Sequence, residues 1–146
     1  MNNRSKNNFQ ILLKGTLEEI DYLSLAIERF CEEVGLDSLV KNQVNLILEE
    51  LYTNTANYGF KGIPDGQVTI TLSVLGDQLE ITYQDNGIAF NPLEMDDPDL
   101  MLSLDDRAIG GLGVFFVKAM TDQVAYARIG EFNYLTMQKS LLNKSD

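Results

Sequence analysis

The stretch QVTITLSVLGDQLEITYQD (residues 67–85) alternates apolar and polar residues on both sides of a short break. Val68, Ile70, Leu72 and Val74 fall on one face, and Thr69, Thr71 and Ser73 on the other. After Gly76-Asp77, Ile81 and Tyr83 alternate with Glu80, Thr82 and Gln84. A period of two marks a half-buried strand, and a Gly-Asp pair between two such runs marks a tight hairpin. Strands joined this closely must run antiparallel, because a parallel pair needs a crossover of about a dozen residues or more.

Working outward, FQILLKG (9–15) suits a short first strand, and QVAYARI (123–129), a Gly130-Glu131 turn and FNYLTMQKS (132–140) form a second hairpin. Between the first strand and the first hairpin lie two helical patterns. In GTLEEIDYLSLAIERFCEEVGL (15–36), Thr16 followed by Glu19 is a capping-box pattern. Leu17, Ile20, Leu23, Ile27, Phe30 and Val34 then recur at helical steps as far as Gly35. Asp37 is the natural N-cap of a second helix running to about Tyr58. GFKGIPDGQ (59–67) is turn chemistry, and GLGVFFVKAMTD (111–122) reads as a third helix entered through glycines. The order is β, α, α, ββ, long loop, α, ββ. Without alternating βαβ units this is an α+β chain: a two-layer sandwich whose mostly antiparallel mixed sheet carries helices on one face.

Bulk properties narrow the function. The net charge of −11 opposes a general nucleic-acid or anionic-membrane surface, both of which need clustered Lys and Arg. The single cysteine, Cys31, excludes an internal disulfide framework and sits in an apolar helical stretch as a core thiol. The absence of histidine removes His-based acid–base chemistry and most zinc sites. No segment approaches about 18 unbroken apolar residues, and the start has no apolar signal core. The expectation is a cytoplasmic protein with a polar, disordered segment at 1–7 and a single domain over 8–146.

Three polar stations stand out. In LILEELYTNTANYGF (46–60), Val40, Val44, Ile47, Leu48 and Leu51 of the same helix share a core-facing arc at about 100° per residue. Glu50, Asn54 and Asn57 share a strip at its edge, while Glu49 points away. That strip is either a solvated face or an oxygen cluster for Mg²⁺ with a carboxylate left over as a base. The second station, QDNGIAF (84–90), is either ordinary turn chemistry or a carboxylate placed to accept a hydrogen bond from an exocyclic amine. Gly87 there can take φ > 0 and let a ligand approach. The third, AIGGLGVFFVKAM (108–120), opens a helix with glycines, either for close packing or to present N–H groups to a phosphate. It lacks the Lys-Ser/Thr of a Walker loop and the preceding strand of a Rossmann turn.

Taken together, Glu50-x-x-x-Asn54, Asp85-x-Gly87-x-x-Phe90 and Gly111-x-Gly113 resemble the N, G1 and G2 boxes of the GHKL (Bergerat-fold) ATP-binding superfamily. Within it, AFNPL after the G1 box, RAIGGLGVFFVKAMTDQVAY and NYLTMQK resemble the stand-alone serine kinases that act as bacterial anti-sigma factors. The resemblance spans about residues 8–140.

That resemblance implies roles. Glu50 is the general base and Asn54 the Mg²⁺ ligand. Asp85 reads the adenine amino group, with Gly87 letting the base approach, and Gly111 and Gly113 clasp the phosphates through backbone N–H. Residues 91–110 become an ATP lid, whose one basic residue, Arg107, either neutralises the γ-phosphate or is a plain surface charge. The lid's acidic run is either a solvated face or a partner surface. Two departures from the family pattern occur. Its His-Gly after the N box is Tyr58-Gly59 here, and its final Gly-Thr box is replaced by Glu131-Phe132-Asn133-Tyr134, leaving Thr136 as the adenine-side contact. The implied function is an ATP- and Mg²⁺-dependent protein serine kinase acting on a small STAS-type anti-anti-sigma protein, with a sigma factor as a second partner and a capacity to form homodimers. The alternatives are a non-catalytic ATP-dependent binding module and a histidine-kinase-type ATPase domain. The second of these is opposed by the lack of any histidine or dimerisation helices.

Overall fold

In the computed structural model, residues 8–94 and 111–142 are described. The 67–85 alternation forms β2 (Val68–Leu75) and β3 (Gln78–Asp85), paired antiparallel from Val68↔Asp85 to Leu75↔Gln78. Gly76 takes φ +61, the left-handed conformation that the first position of a tight hairpin turn reserves for glycine. The second hairpin, β4 (Gln123–Ile129) and β5 (Phe132–Ser140), turns through Gly130 at φ +60. With β1 (Asn8–Leu13), the strands form one five-stranded sheet of order β1-β2-β3-β5-β4, and every described pairing is antiparallel.

Helices α1 (Ile20–Val34), α2 (Ser38–Asn54) and α3 (Gly111–Met120) complete the α+β sandwich. The core lies between them and the inner sheet face, where Ile11, Leu13, Val68, Ile70, Leu72, Leu79, Ile81, Leu135 and Met137 meet Leu23, Ile27, Phe30, Val44, Ile47 and Leu48. Each fully buried aliphatic side chain contributes about 1.5–3 kcal/mol of transfer free energy, so the register that hides all of them is strongly specified. Cys31 belongs to this core.

Local departures from the sequence reading have identifiable causes. Thr16 makes no side-chain cap. Leu17–Glu19 is a 3₁₀ turn, and the Glu19 carboxylate reaches back to the Lys14 N–H instead. Leu17 is accordingly exposed, not part of the core. Asp37 does cap α2, accepting from the Val40 N–H at 2.9 Å. The α-helical ladder of α2 stops at Asn54 and continues as one π-helical turn, Thr55–Gly59, closed by the Phe60 N–H onto the Thr55 carbonyl.

Candidate functional site

The π turn, the end of β3 and the start of α3 surround a cavity of about 300 Å³, within the range of small-molecule sites. Asn54, Thr55, Tyr58 and Gly59 line one wall; Asp85, Ile88 and Phe90 line a second. Val114, Tyr126, Asn133 and Leu135 complete it.

Two internal ties shape the first wall. Thr55 Oγ1 donates to the Leu51 carbonyl at 2.9 Å and accepts from the buried Tyr83 hydroxyl at 2.8 Å. Burial pushes the Tyr83 pKa well above its usual value, so the phenol stays a donor. A side chain that bonds back to the preceding turn competes with the helical ladder, and here it sits where α2 widens into the π turn. Wide turns of this kind recur at functional sites. The widening also breaks the helical spacing, so Asn57 is exposed and does not line the cavity. Glu49 turns to α1 and accepts a hydrogen bond from Ser24 Oγ.

The N-box and G2 stations meet directly. A Cβ placed on Gly113 would lie 3.2 Å from Asn54 Nδ2 and 3.2 Å from Glu50 Cβ. Glycine there lets the first turn of α3 close onto the Glu50–Asn54 strip, bringing the start of that helix beside Glu50 Cβ and the Asn54 amide. Gly111 is the first residue of α3. Arg107 and the rest of the acidic lid beyond Glu94 lie outside the described residues, as do residues 1–7.

On the second wall, Asp85 is buried on the inner face of β3. Its Oδ1 accepts from the Gly87 N–H at 2.9 Å and from Asn133 Nδ2 at 3.0 Å. Among the described residues no donor reaches Oδ2. Burial raises the Asp85 pKa, opposed by the Asn133 hydrogen bond, the Gly87 N–H and the Arg128 guanidinium. Gly87 has a packing reason to be glycine. Its φ is not positive, and a Cβ there would meet the Gly59 carbonyl oxygen at 2.6 Å. Glycine is required because the π turn docks on the end of β3, where the Ile88 N–H donates to that same carbonyl at 2.9 Å.

Thr136 does not face the cavity. It pairs with Thr82 and Ala125 on the outer face of the sheet, because strand alternation places it opposite Leu135 and Met137. The inward residue at that end of β5 is Asn133, paired across from Asp85. Asn133, its partner Tyr126 and Arg128, whose Nη1 donates to the Gly87 carbonyl at 2.8 Å, were not identified from sequence. The parity of FNYLTMQKS carried the signal: Asn133, Leu135 and Met137 share one face.

Among the described residues there is no cluster of three acidic, histidine or cysteine side chains that could hold a metal by itself. A Mg²⁺ held by one amide oxygen, phosphate and water needs none. Asn54, one turn from the Glu50 carboxylate and facing the Gly113 cradle, is a donor set of that kind.

This arrangement is a two-layer α+β sandwich with a cavity of small-molecule size where the π turn, the end of β3 and the start of α3 meet. The family model described as a histidine kinase-like ATPase domain matches residues 13–139, and the chain belongs to that family. It is similar to the serine-protein kinase RsbW of Listeria monocytogenes, at 27% identity over 111 residues covering 71% of each chain. It is also similar to an anti-sigma F factor of Oceanobacillus iheyensis, at 21% identity over 92% of this chain and 94% of the relative. The fold matches the crystal structure of the RsbU and RsbW domains of a Mycobacterium tuberculosis protein with a TM-score of 0.65, at 12% identity, covering 91% of this chain and 32% of that one. No described helix is long and apolar enough to cross a membrane.

Proposed function

We propose that this chain is an ATP-dependent protein serine kinase of a partner-switching system, acting in the cytoplasm on a small STAS-type anti-anti-sigma protein. The observation that carries the reading is the polarity of the cavity. Asp85 lines it as a buried carboxylate with one oxygen unclaimed among the described residues, and Asn54 lines it too, packed with Glu50 against Gly113 at the start of α3.

Asp85 Oδ2 accepts from the exocyclic amine of adenine, with the base packed among Ile88, Phe90, Val114 and Leu135. Backbone N–H groups at Gly111 and Gly113 receive the phosphates. Asn54 would hold Mg²⁺, which would supply positive charge beside the triphosphate. Glu50 orients the incoming serine hydroxyl and takes its proton. The serine oxygen forms a bond to the γ-phosphorus as the bond to the ADP oxygen breaks. Phosphoryl transfer asks the protein mainly for placement and charge neutralisation, so few side chains suffice. Arg107 is assigned to the γ-phosphate, and a sigma factor and a second copy of the chain are the further partners.

The test is transfer of label from γ-labelled ATP to a purified STAS-domain partner, with Glu50→Ala as control. Phosphoserine on the partner, absent with Glu50→Ala, is the expected result. Tight nucleotide binding without transfer would replace the kinase by a nucleotide-gated binding module.

A further inference from the structure

Asn133 makes four hydrogen bonds with a side chain that has capacity for four. Nδ2 donates to Asp85 Oδ1 at 3.0 Å and to the Ile88 carbonyl at 2.8 Å. Oδ1 accepts from the Tyr126 hydroxyl at 2.5 Å and from the Phe90 N–H at 3.3 Å. An amide offers two donors and two acceptor positions, so Asn133 has nothing left with which to touch a ligand. Its amide also cannot turn over. A flip would set its oxygen against a carboxylate and a carbonyl, and its NH₂ against the Phe90 N–H. One buried side chain, 7% exposed, thereby ties β5 to the base-reading carboxylate and to segment 88–90.

We propose that Asn133, oriented by Tyr126, is the positioning residue that makes the site select a purine carrying a 6-amino group over one carrying a 6-carbonyl. The inference rests on the nucleotide reading above and deepens it. Because both internal donors converge on Asp85 Oδ1, Oδ2 is, among the described residues, left without a donor in a side chain that lines the cavity. A 6-amino group donates to it, whereas a 6-carbonyl opposes it oxygen to oxygen. That discrimination holds only while the carboxylate is ionised and fixed in rotation. Without the Asn133 donor, burial is less opposed and shifts Asp85 further toward the acid form, whose O–H can donate to a carbonyl, and the Gly87 N–H alone is left to hold the carboxylate's rotation. Both changes erode selectivity, while the loss of a purely structural bridge weakens all nucleotides alike. Among the described residues, Arg128 on β4 and Tyr83 on β3 are the other charged or titratable groups acting on Asp85, and both are retained in the test.

The experiment is calorimetric titration of the full chain with ADP and with IDP, which differ at the 6-position, in the presence of Mg²⁺ near neutral pH. The parent should favour ADP by at least about tenfold, the range expected for a hydrogen bond to a charged acceptor. Asn133→Ala should bring the ADP/IDP affinity ratio to within about threefold of unity. Tyr126→Phe, which removes one hydroxyl and keeps the ring, should lower the ratio by a smaller, measurable factor. If Asn133→Ala does not fold, the Tyr126→Phe ratio decides. Parent-like ratios in the folded variants, with both affinities falling together, overturn the assignment and leave the nucleotide reading standing. A parent chain that binds neither nucleotide overturns both.

Discussion

Two glycines of the site are open to the same substitution with opposite expected outcomes. At Gly87, an alanine Cβ would lie 2.6 Å from the Gly59 carbonyl oxygen, 3.2 Å from its carbon and 2.9 Å from Asp85 Oδ1. The first two are backbone atoms, so relief requires moving the π turn off the end of β3. Overpacking of this kind costs about 1–3 kcal/mol. Losing the 2.9 Å Ile88–Gly59 hydrogen bond adds about 0.5–1.5 kcal/mol. Gly87→Ala should therefore destabilise by about 2–4 kcal/mol, a large share of the total stability of a domain. With a urea m-value of about 2 kcal/mol/M, the midpoint falls by about 1–2 M. At Gly113 the new methyl lies 3.2 Å from Asn54 Nδ2 and from Glu50 Cβ, which are side-chain atoms able to shift. Alanine also gains up to about 1 kcal/mol over glycine in a helix. Gly113→Ala should stay within about 1 kcal/mol of the parent and yet weaken Mg-nucleotide binding, because the cradle beside Asn54 is filled. Equilibrium urea unfolding with calorimetric ADP titration measures both. A Gly87→Ala midpoint within about 0.2 M of the parent, or a Gly113→Ala loss as large as that of Gly87→Ala, would refute the packing account.

Three further outcomes are expected. Because burial raises the Asp85 pKa above its ordinary 3.8, the native state holds the extra proton between the two values. Stability from this group therefore falls as pH rises through that window, and the penalty persists at neutral pH. Asp85→Asn keeps an oxygen for both internal donors and replaces only the cavity-side atom. Unfolding free energy should lose this pH dependence, while ADP affinity drops at least about tenfold; unchanged ADP affinity would remove Asp85 as base reader. Glu50→Ala should lower phosphotransfer by about 10²–10⁴-fold with ADP affinity retained, read by single-turnover labelling. Burial, opposed weakly by Lys41, pushes the Cys31 thiol up to about 11. Folded protein should resist a thiol reagent at neutral pH and react at the rate of unfolding; prompt labelling without unfolding would contradict its place in the core.

Much of the fold was legible because it rests on short-range regularities. Period-two runs marked the strands, glycines at φ +61 and +60 marked the hairpin turns, and Asp37 marked the start of α2. The same regularities separated Glu50 from Glu49 on the helix surface. Less of the site could be read, for reasons particular residues make plain. Thr16 looked like a cap, but the chain enters α1 through a 3₁₀ turn and the Glu19 carboxylate goes to the Lys14 N–H. Thr136 was taken over from a family pattern, against the parity of its own strand.

By itself, the sequence determined the antiparallel sheet, the helix faces that cover it and the positions of the three polar stations along the chain. The tertiary structure alone decided which of those stations meet. Gly113 reaches Glu50 and Asn54 across about 60 residues of sequence, and Asn133 reaches Asp85 from a strand 48 residues away. Local propensity depends on neighbours in the chain, and these contacts depend on neighbours across it. A strand tells which way Asn133 points, but only the β3–β5 pairing puts a carboxylate opposite it. The need for glycine at position 87 likewise comes from a carbonyl 28 residues earlier in the chain, on a π turn that no local pattern announced.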